Sequence, residues 1–223
     1  MNPQNLFFDL DGTLINSADG ILNSVSHALT KLGIPVPPRE ELLHFIGPPL
    51  ARTFAEDYHL TAAEALHAVE LYREYYTVKG IYECKLYNGI PQLLERAAAD
   101  GYRLVLATCK PAVLAERILK NLGIEHFFAM VSGPELDGTR GEKHEVIAYA
   151  MQQLGITDPA DVLMIGDRRD DVLGAARNGI ACAGALWGFG SEAELRDAGA
   201  KLLFQTPAEL SDHLHYRTFF HKK

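Results

Sequence analysis

Cysteine is scarce in this chain: Cys84, Cys109 and Cys182 are its three thiols among 223 residues. Their odd number, wide spacing and lack of any CxxC pair exclude a disulfide framework and a zinc site, and suit a reducing compartment, the cytoplasm by default. No apolar run approaches the ~18 residues of a membrane span. Acidic residues from Asp9 onward leave no secretory-leader pattern. Basic residues are outnumbered, 21 Lys and Arg against 29 Asp and Glu, for a formal net charge of −8. That balance argues against a nucleic acid polymer or an anionic membrane as partner. Heptads, internal repeats and low-complexity tracts are also missing, so a monomer is expected, and the nine histidines show neither HExxH nor another ligand spacing.

What is present is ordinary globular composition, 48% hydrophobic and 22% charged. Apolar runs at Leu6–Leu10, Leu104–Ala107, Phe127–Val131, Val162–Ile165, Ala181–Ala185 and Leu202–Phe204 read as strands. Most are continuously apolar, the pattern of strands covered on both faces of a parallel sheet. Helical stripes lie between them. Leu114, Ile118, Leu119 and Leu122 form one, opened near Pro111 and closed by Gly123; Val146, Ile147, Ala150 and Leu154 form another, closed by Gly155. Strand–helix alternation predicts an α/β fold with a doubly wound, mostly parallel sheet. Residues 213–223 (HLHYRTFFHKK) show no clear pattern and are expected to fray.

One connection breaks the rhythm. From Asn16 to Glu83 no strand pattern occurs, although a βα link usually takes ~2–6 residues. Ile21, Leu22, Val25, Ala28, Leu29 and Leu32 keep helical spacing up to Gly33, and Ala65, Leu66, Val69, Tyr72 and Tyr76 do the same later. Gly47-Pro48-Pro49 must turn between helices. The expectation is a small all-α domain over 16–83, inserted in a core of 1–15 and 84–223. Ligands of open α/β sheets sit at the carboxyl ends of strands, and an insertion after the first strand is placed to act as a lid there.

The strongest chemical signal is Phe8-Asp9-Leu10-Asp11-Gly12-Thr13-Leu14. Carboxylates at i and i+2 would project to opposite faces of a strand, but Gly12 permits a sharp turn that returns Asp11 to the side of Asp9. Three further segments begin where strands end. Thr108 follows the second strand, at what reads as the head of a helix, a natural phosphate position. Lys143 falls in a helical first turn, where the macrodipole disfavours a cation. Gly166-Asp167-Arg168-Arg169-Asp170-Asp171 sets Asp167 and Asp171 one turn apart. Each alone has a plain structural explanation, as a turn, an N-cap, a solvated lysine or a capping cluster.

Together and in this order, the four segments resemble the haloacid-dehalogenase-like (HAD) hydrolase superfamily, in its phosphatase branch with a helical cap. Phe45-Ile46-Gly47-Pro48-Pro49-Leu50, Leu136-Asp137-Gly138-Thr139-Arg140 and Met164-Ile165-Gly166-Asp167-Arg168 are similar to the members known as 5′-nucleotidases and phosphoglycolate phosphatases. The resemblance implies a Mg2+-dependent phosphatase acting on a small soluble phosphate ester. Asp9 would attack phosphorus to form an aspartyl-phosphate, and Asp11 would serve as acid and then base. It further implies that Asp9, the backbone carbonyl of Asp11 and Asp167 hold the metal, with Asp171 as an outer partner. Thr108, Lys143 and the Asp11–Gly12 amides would bind phosphoryl oxygens, supplying the local positive charge that an acidic chain otherwise lacks. Arg140 and Arg52 are further substrate candidates. The rival readings are a phosphomutase of the same superfamily, which commonly carries Glu-Asp at Gly166-Asp167, and a receiver-like or silent phosphate-binding protein.

Overall fold

The computed structural model describes residues 3–221, with side chains as far as Tyr216. Its strands are β1 (Asn5–Phe8), β2 (Ile15–Asn16), β3 (Lys85–Leu86), β4 (Arg103–Ala107), β5 (Phe128–Ser132), β6 (Val162–Gly166), β7 (Ala181–Ala185) and β8 (Leu202–Phe204). Its α-helices are α1 (Ala18–Lys31), α2 (Leu50–Tyr58), α3 (Ala62–Tyr76), α4 (Ile90–Ala99), α5 (Ala112–Asn121), α6 (Lys143–Gln153), α7 (Arg169–Arg177), α8 (Glu192–Asp197) and α9 (Pro207–His221). Two compact units result, Asn16–Lys85 and the remainder of the chain.

In the larger unit, six strands pair in the order β5-β4-β1-β6-β7-β8, every pair parallel. All six apolar runs form the strands expected, and the fold is the doubly wound, parallel α/β sheet that they predict. The central strands are buried end to end, as continuous apolar sequence requires. Alternate side chains divide between two layers. Phe7, Val105 and Met164 pack with Val146, Ile147 and Ala150 of α6, Val172 and Ala175 of α7, and Leu195 of α8. Leu6, Phe8, Leu104 and Leu106, equally buried, point to the side of α4, α5 and α9. After β5 the chain returns across β1 to start β6, so the strand order reverses around β1. This is where a parallel sheet opens a crevice at its carboxyl edge.

The carboxyl-terminal expectation is corrected. α9 continues to His221, and of the segment expected to fray, Lys222 and Lys223 lie outside the described residues. Leu210 and Leu214 bury one stripe of α9. Arg96 reaches Asp212 at 2.7 Å, His215 reaches Asp100 at 2.9 Å, and the Tyr102 hydroxyl donates to the Leu214 carbonyl at 3.0 Å. Histidines and aromatics interrupt the apolar pattern there, so tertiary contacts rather than periodicity hold this helix.

The smaller unit is helical, with α1 against α3 and α2 against α3, and 3-10 turns at Arg39–Phe45 and Gly80–Tyr82. Its core includes Ile21, Leu22, Val25, Leu42, Phe45, Phe54 and Tyr72. The Gly47-Pro48-Pro49 turn leads into α2, with Pro49 as its N-cap. α3 opens on a reciprocal capping box between Thr61 and Glu64. One expected stripe residue is misplaced: Leu66 is 61% exposed, because Ala65, Ala68, Val69, Tyr72 and Tyr76 define the buried face and position 66 falls ~100° away from it. β2 and β3, where the chain leaves and rejoins the core, form a two-stranded sheet.

Candidate active site

β1 ends at the first acid. The Asp9 N–H donates to the Ile165 carbonyl on β6 at 2.9 Å, which registers the two strand ends. The chain then coils back: the N–H groups of Thr13, Leu14 and Ile15 all reach the Leu10 carbonyl, at 3.3, 3.0 and 3.0 Å. Gly12 makes this turn feasible at φ +83°, and a β-carbon there would lie 2.1 Å from Asp167 Oδ2. Asp9 and Asp11 are both buried beside the turn, the return that their spacing suggested.

Asp167 and Asp171 arrive from the end of β6 and the first turn of α7. Asp167 is fully buried and accepts from the Thr13 hydroxyl at 3.2 Å and the Phe189 N–H at 2.8 Å. The loop after β7 is fitted to it, since side chains at Gly188 or Gly190 would overlap Asp167 atoms. Trp187 pins that loop through an indole N–H to the Thr13 carbonyl at 2.9 Å. Asp171 turns one oxygen to the Arg168 N–H at 3.0 Å, closing the start of α7. Its other oxygen faces Lys143. Asp9, Asp167 and Asp171 each offer one oxygen, all within 4.8 Å of one another.

Lys143 is the first residue of α6 and 5% exposed. Burial and the helix N-terminus both oppose an ammonium there. Three oxygens offset them: Asp9 Oδ1 and Asp171 Oδ1, in ion pairs at 2.8 Å each, and the Ala107 carbonyl, which accepts a hydrogen bond at 3.0 Å. Burial by itself would lower the Lys143 pKa, but the charges of Asp171 and Asp9 outweigh it and hold the ammonium above its ordinary range. Asp9 remains crowded: burial lifts its carboxyl to about 6, Lys143 opposes the rise, and Asp171 and Asp11 add to it. Burial, then Asp171 and Asp9, push Asp167 well above the ordinary carboxylate value.

Several expected roles change on this geometry. Thr108 is buried near the acids, but α5 starts only at Ala112 behind Pro111, so Thr108 heads no helix. Its N–H donates to the Ser132 carbonyl at 3.0 Å and its hydroxyl oxygen accepts from the Lys110 N–H at 3.2 Å. The Gly12 amide likewise donates to the Ile15 carbonyl at 2.8 Å, so Gly12 serves the site by shape rather than as a phosphate donor. Arg140 is paired with Glu135 of its own loop and stacked over Tyr149 of α6 at 4.2 Å. Arg52 lies exposed in the helical unit. Cys109, beside Thr108, has its thiol pushed up to about 12 mainly by burial, which keeps it from acting as a nucleophile.

Sequence reasoning missed Lys110. Its ammonium donates to both Asp11 oxygens, at 2.8 and 2.6 Å. The signal was available, because Lys110 follows the same strand end as Thr108 and directly precedes the helix-opening proline.

The donor set suits a hard divalent cation. It consists of carboxylate oxygens, buried against one another and crowded enough to raise two of their pKa values. Soft sulfur is absent from it, and Lys143 supplies only part of the neutralising charge.

Buried acids at the ends of β1 and β6, with lysines from β4's loop and α6, define an α/β protein with a carboxylate-rich site at the carboxyl edge of its sheet. The chain belongs to the haloacid dehalogenase-like hydrolase family, whose model matches residues 6–185. It is 47% identical over 192 residues to a protein of Pseudomonas aeruginosa named 5′-nucleotidase, covering 86% of each chain. It is 42% identical over 190 residues to the tyrosine-protein kinase PtkA of Mycobacterium tuberculosis, covering 85% of this chain but only 64% of that one. Among solved structures, a predicted phosphatase from Clostridium acetobutylicum superposes with a TM-score of 0.92 at 40% identity, covering 96% of this chain and 99% of that one.

Proposed function

We propose that the chain is a Mg2+-dependent phosphomonoester hydrolase that works through an aspartyl-phosphate on Asp9. The observation that carries this reading is the buried Asp9–Asp167–Asp171 cluster, its oxygens within 4.8 Å of one another and Lys143 2.8 Å from Asp9. Asp9, Asp167 and the Asp11 carbonyl would hold Mg2+, with Asp171 fixing their arrangement through Lys143 and the start of α7. When bound, the ion supplies positive charge that offsets the acids and the charge spread over the transferring phosphoryl oxygens.

The chain's own groups do the rest. The Asp9 carboxylate attacks phosphorus as the bond to the leaving oxygen breaks, and Asp11 gives that oxygen a proton. Lys143 and the Thr108 hydroxyl hold phosphoryl oxygens in line. In the second half, Asp11 takes a proton from the water that attacks the aspartyl-phosphate, returning Asp9 as a carboxylate and Asp11 as an acid. Uncatalysed phosphate-monoester hydrolysis is slow enough that accelerations can approach ~10²¹, and positioning with fixed charge is the main means available.

The substrate class is a small soluble phosphate ester. A nucleoside 5′-monophosphate is favoured slightly over phosphoglycolate, in keeping with the name of the relative at 47% identity. The helical unit is assigned the role of selecting the leaving group. A tyrosine hydroxyl as phosphoryl acceptor is the second reading, favoured by the 42% identity to PtkA. A phosphate-release screen with Mg2+ tests the proposal, covering nucleoside monophosphates, phosphoglycolate and sugar phosphates, with Asp9→Asn as the blank. One class should stand out in kcat/KM. No release above the blank refutes hydrolysis, and phosphate moved from a nucleotide to a tyrosyl peptide would favour the kinase reading.

A further inference from the structure

Lys110 has no place in the roles above, yet the fold builds it into the site. It is 9% exposed, and its ammonium grips both oxygens of Asp11, at 2.8 and 2.6 Å. Its backbone is fixed on several sides. The Lys110 N–H donates to the Thr108 hydroxyl at 3.2 Å, and the Ala112 N–H donates to the Pro134 carbonyl at 3.0 Å. A β-carbon at Gly133 would stand 2.5 Å from the Lys110 carbonyl oxygen, so the strand end after β5 abuts this loop without slack. The two buried lysines therefore hold three of the four acids, Lys143 on Asp9 and Asp171, Lys110 on Asp11.

We propose that Lys110 is a positioning residue for leaving-group departure: it fixes the Asp11 carboxyl and yields one of its two contacts to the ester oxygen when substrate binds. This inference rests on the phosphomonoesterase reading. As the Asp9–phosphorus bond forms and the phosphorus–leaving-oxygen bond breaks, the departing oxygen takes a proton from Asp11. With both Asp11 oxygens accepting from Lys110, the carboxylate carries no proton to give. As substrate binds, one contact must open and that oxygen take a proton from solvent before the transfer, while the other contact sets the carboxyl's orientation. Without Lys110, Asp11 is free to rotate away from the departing oxygen, and the advantage of a pre-oriented group is lost.

A salt bridge with only a folding role would weaken turnover of every substrate alike. A positioning role discriminates, because an alkyl alkoxide needs a proton to depart and p-nitrophenolate does not. The test is kcat/KM over a series of alkyl and aryl phosphates for wild type, Lys110→Met and Lys110→Arg, repeated with Asp11→Asn. Lys110→Met should cost alkyl phosphates on the order of 10²-fold, the lower end of what a general acid contributes, and p-nitrophenyl phosphate less than about threefold. Lys110→Arg, which can also grip both oxygens, should restore most of the alkyl activity. In the Asp11→Asn background Lys110→Met should change nothing further. Equal losses across the series, or an undiminished loss beside Asp11→Asn, overturn the proposal alone. A wild type that hydrolyses no member overturns the enzyme reading, and the proposal with it. Should the Met variant fail to fold, Lys110→Gln carries the same comparison with the same expected and contrary results.

Discussion

Replacing Lys143 by methionine keeps most of the side chain's volume and deletes the ammonium that serves Asp9 and Asp171, each at 2.8 Å. Removing one partner of a buried ion pair costs ~3–5 kcal/mol, because the remaining charge stays buried. For a chain of this size each kcal/mol shifts Tm by ~2–4 °C, so the variant should melt on the order of 6–20 °C lower at pH 7.5 in chelator. The sign with pH follows from Asp9, whose carboxyl sits at about 6 against an unperturbed 3.8. A raised carboxyl pKa means ionisation opposes folding. The cost is absent below the unperturbed value, grows as pH climbs between the two, and is complete above the folded one. Deleting Lys143 removes the main influence that lowers this pKa, so the gap to wild type should shrink at pH 4.5. Mg2+ should narrow it at pH 7.5, because the acids left without the ammonium attract the cation more strongly than in wild type, and the stabilisation a ligand gives grows as its Kd falls. Thermal unfolding followed by circular dichroism, with and without Mg2+ at both pH values, reads all of this. A variant melting with wild type in chelator at pH 7.5, or a gap as wide at pH 4.5, would refute the reasoning.

Three other outcomes are expected. Gly12→Ala should reduce kcat/KM and stability together, because its β-carbon would lie 2.1 Å from Asp167 Oδ2 at φ +83°; kinetics and a melt on one preparation check this, and a wild-type profile in both would contradict it. Asp11→Asn should slow turnover by ~10²–10⁴-fold, the range of general acid–base catalysis, while product phosphate still binds by calorimetry; an unchanged rate removes Asp11 from that role. Chelation should abolish phosphate release and lower Tm, with both restored by Mg2+; metal-independent release would contradict the carboxylate site.

Much of this was legible in the sequence because it depends on local pattern. Continuous apolar strands announced a sheet covered on both faces, and acids placed just past strand ends had to meet at one edge once the strands were parallel. Gly12 signalled the turn that returns Asp11. What was not legible depends on partners distant in sequence. The donation of the Thr108 and Gly12 amides to Ser132 and Ile15 cannot be read from motif spacing, and it removes both amides from phosphate binding. Lys110 looked like an ordinary loop lysine because its partner lies 99 residues away. α9 escaped for the same reason, being held by Arg96, Asp100 and Tyr102 from other elements. Leu66 shows the converse error: an apolar residue one step off a stripe was counted with it, although only neighbours in space decide which side is buried.

The central claim is that the Asp9 carboxylate becomes covalently phosphorylated. The most direct measurement is acid quench of the enzyme at early times with a turned-over phosphate ester and Mg2+, followed by borohydride reduction or intact-mass and peptide mass spectrometry. The account predicts a phosphoryl adduct, about 80 Da heavier, on the peptide carrying Asp9, absent in Asp9→Asn and decaying as free phosphate appears. Rapid turnover with no adduct at Asp9 at any time, or an adduct that persists in Asp9→Asn, would contradict it.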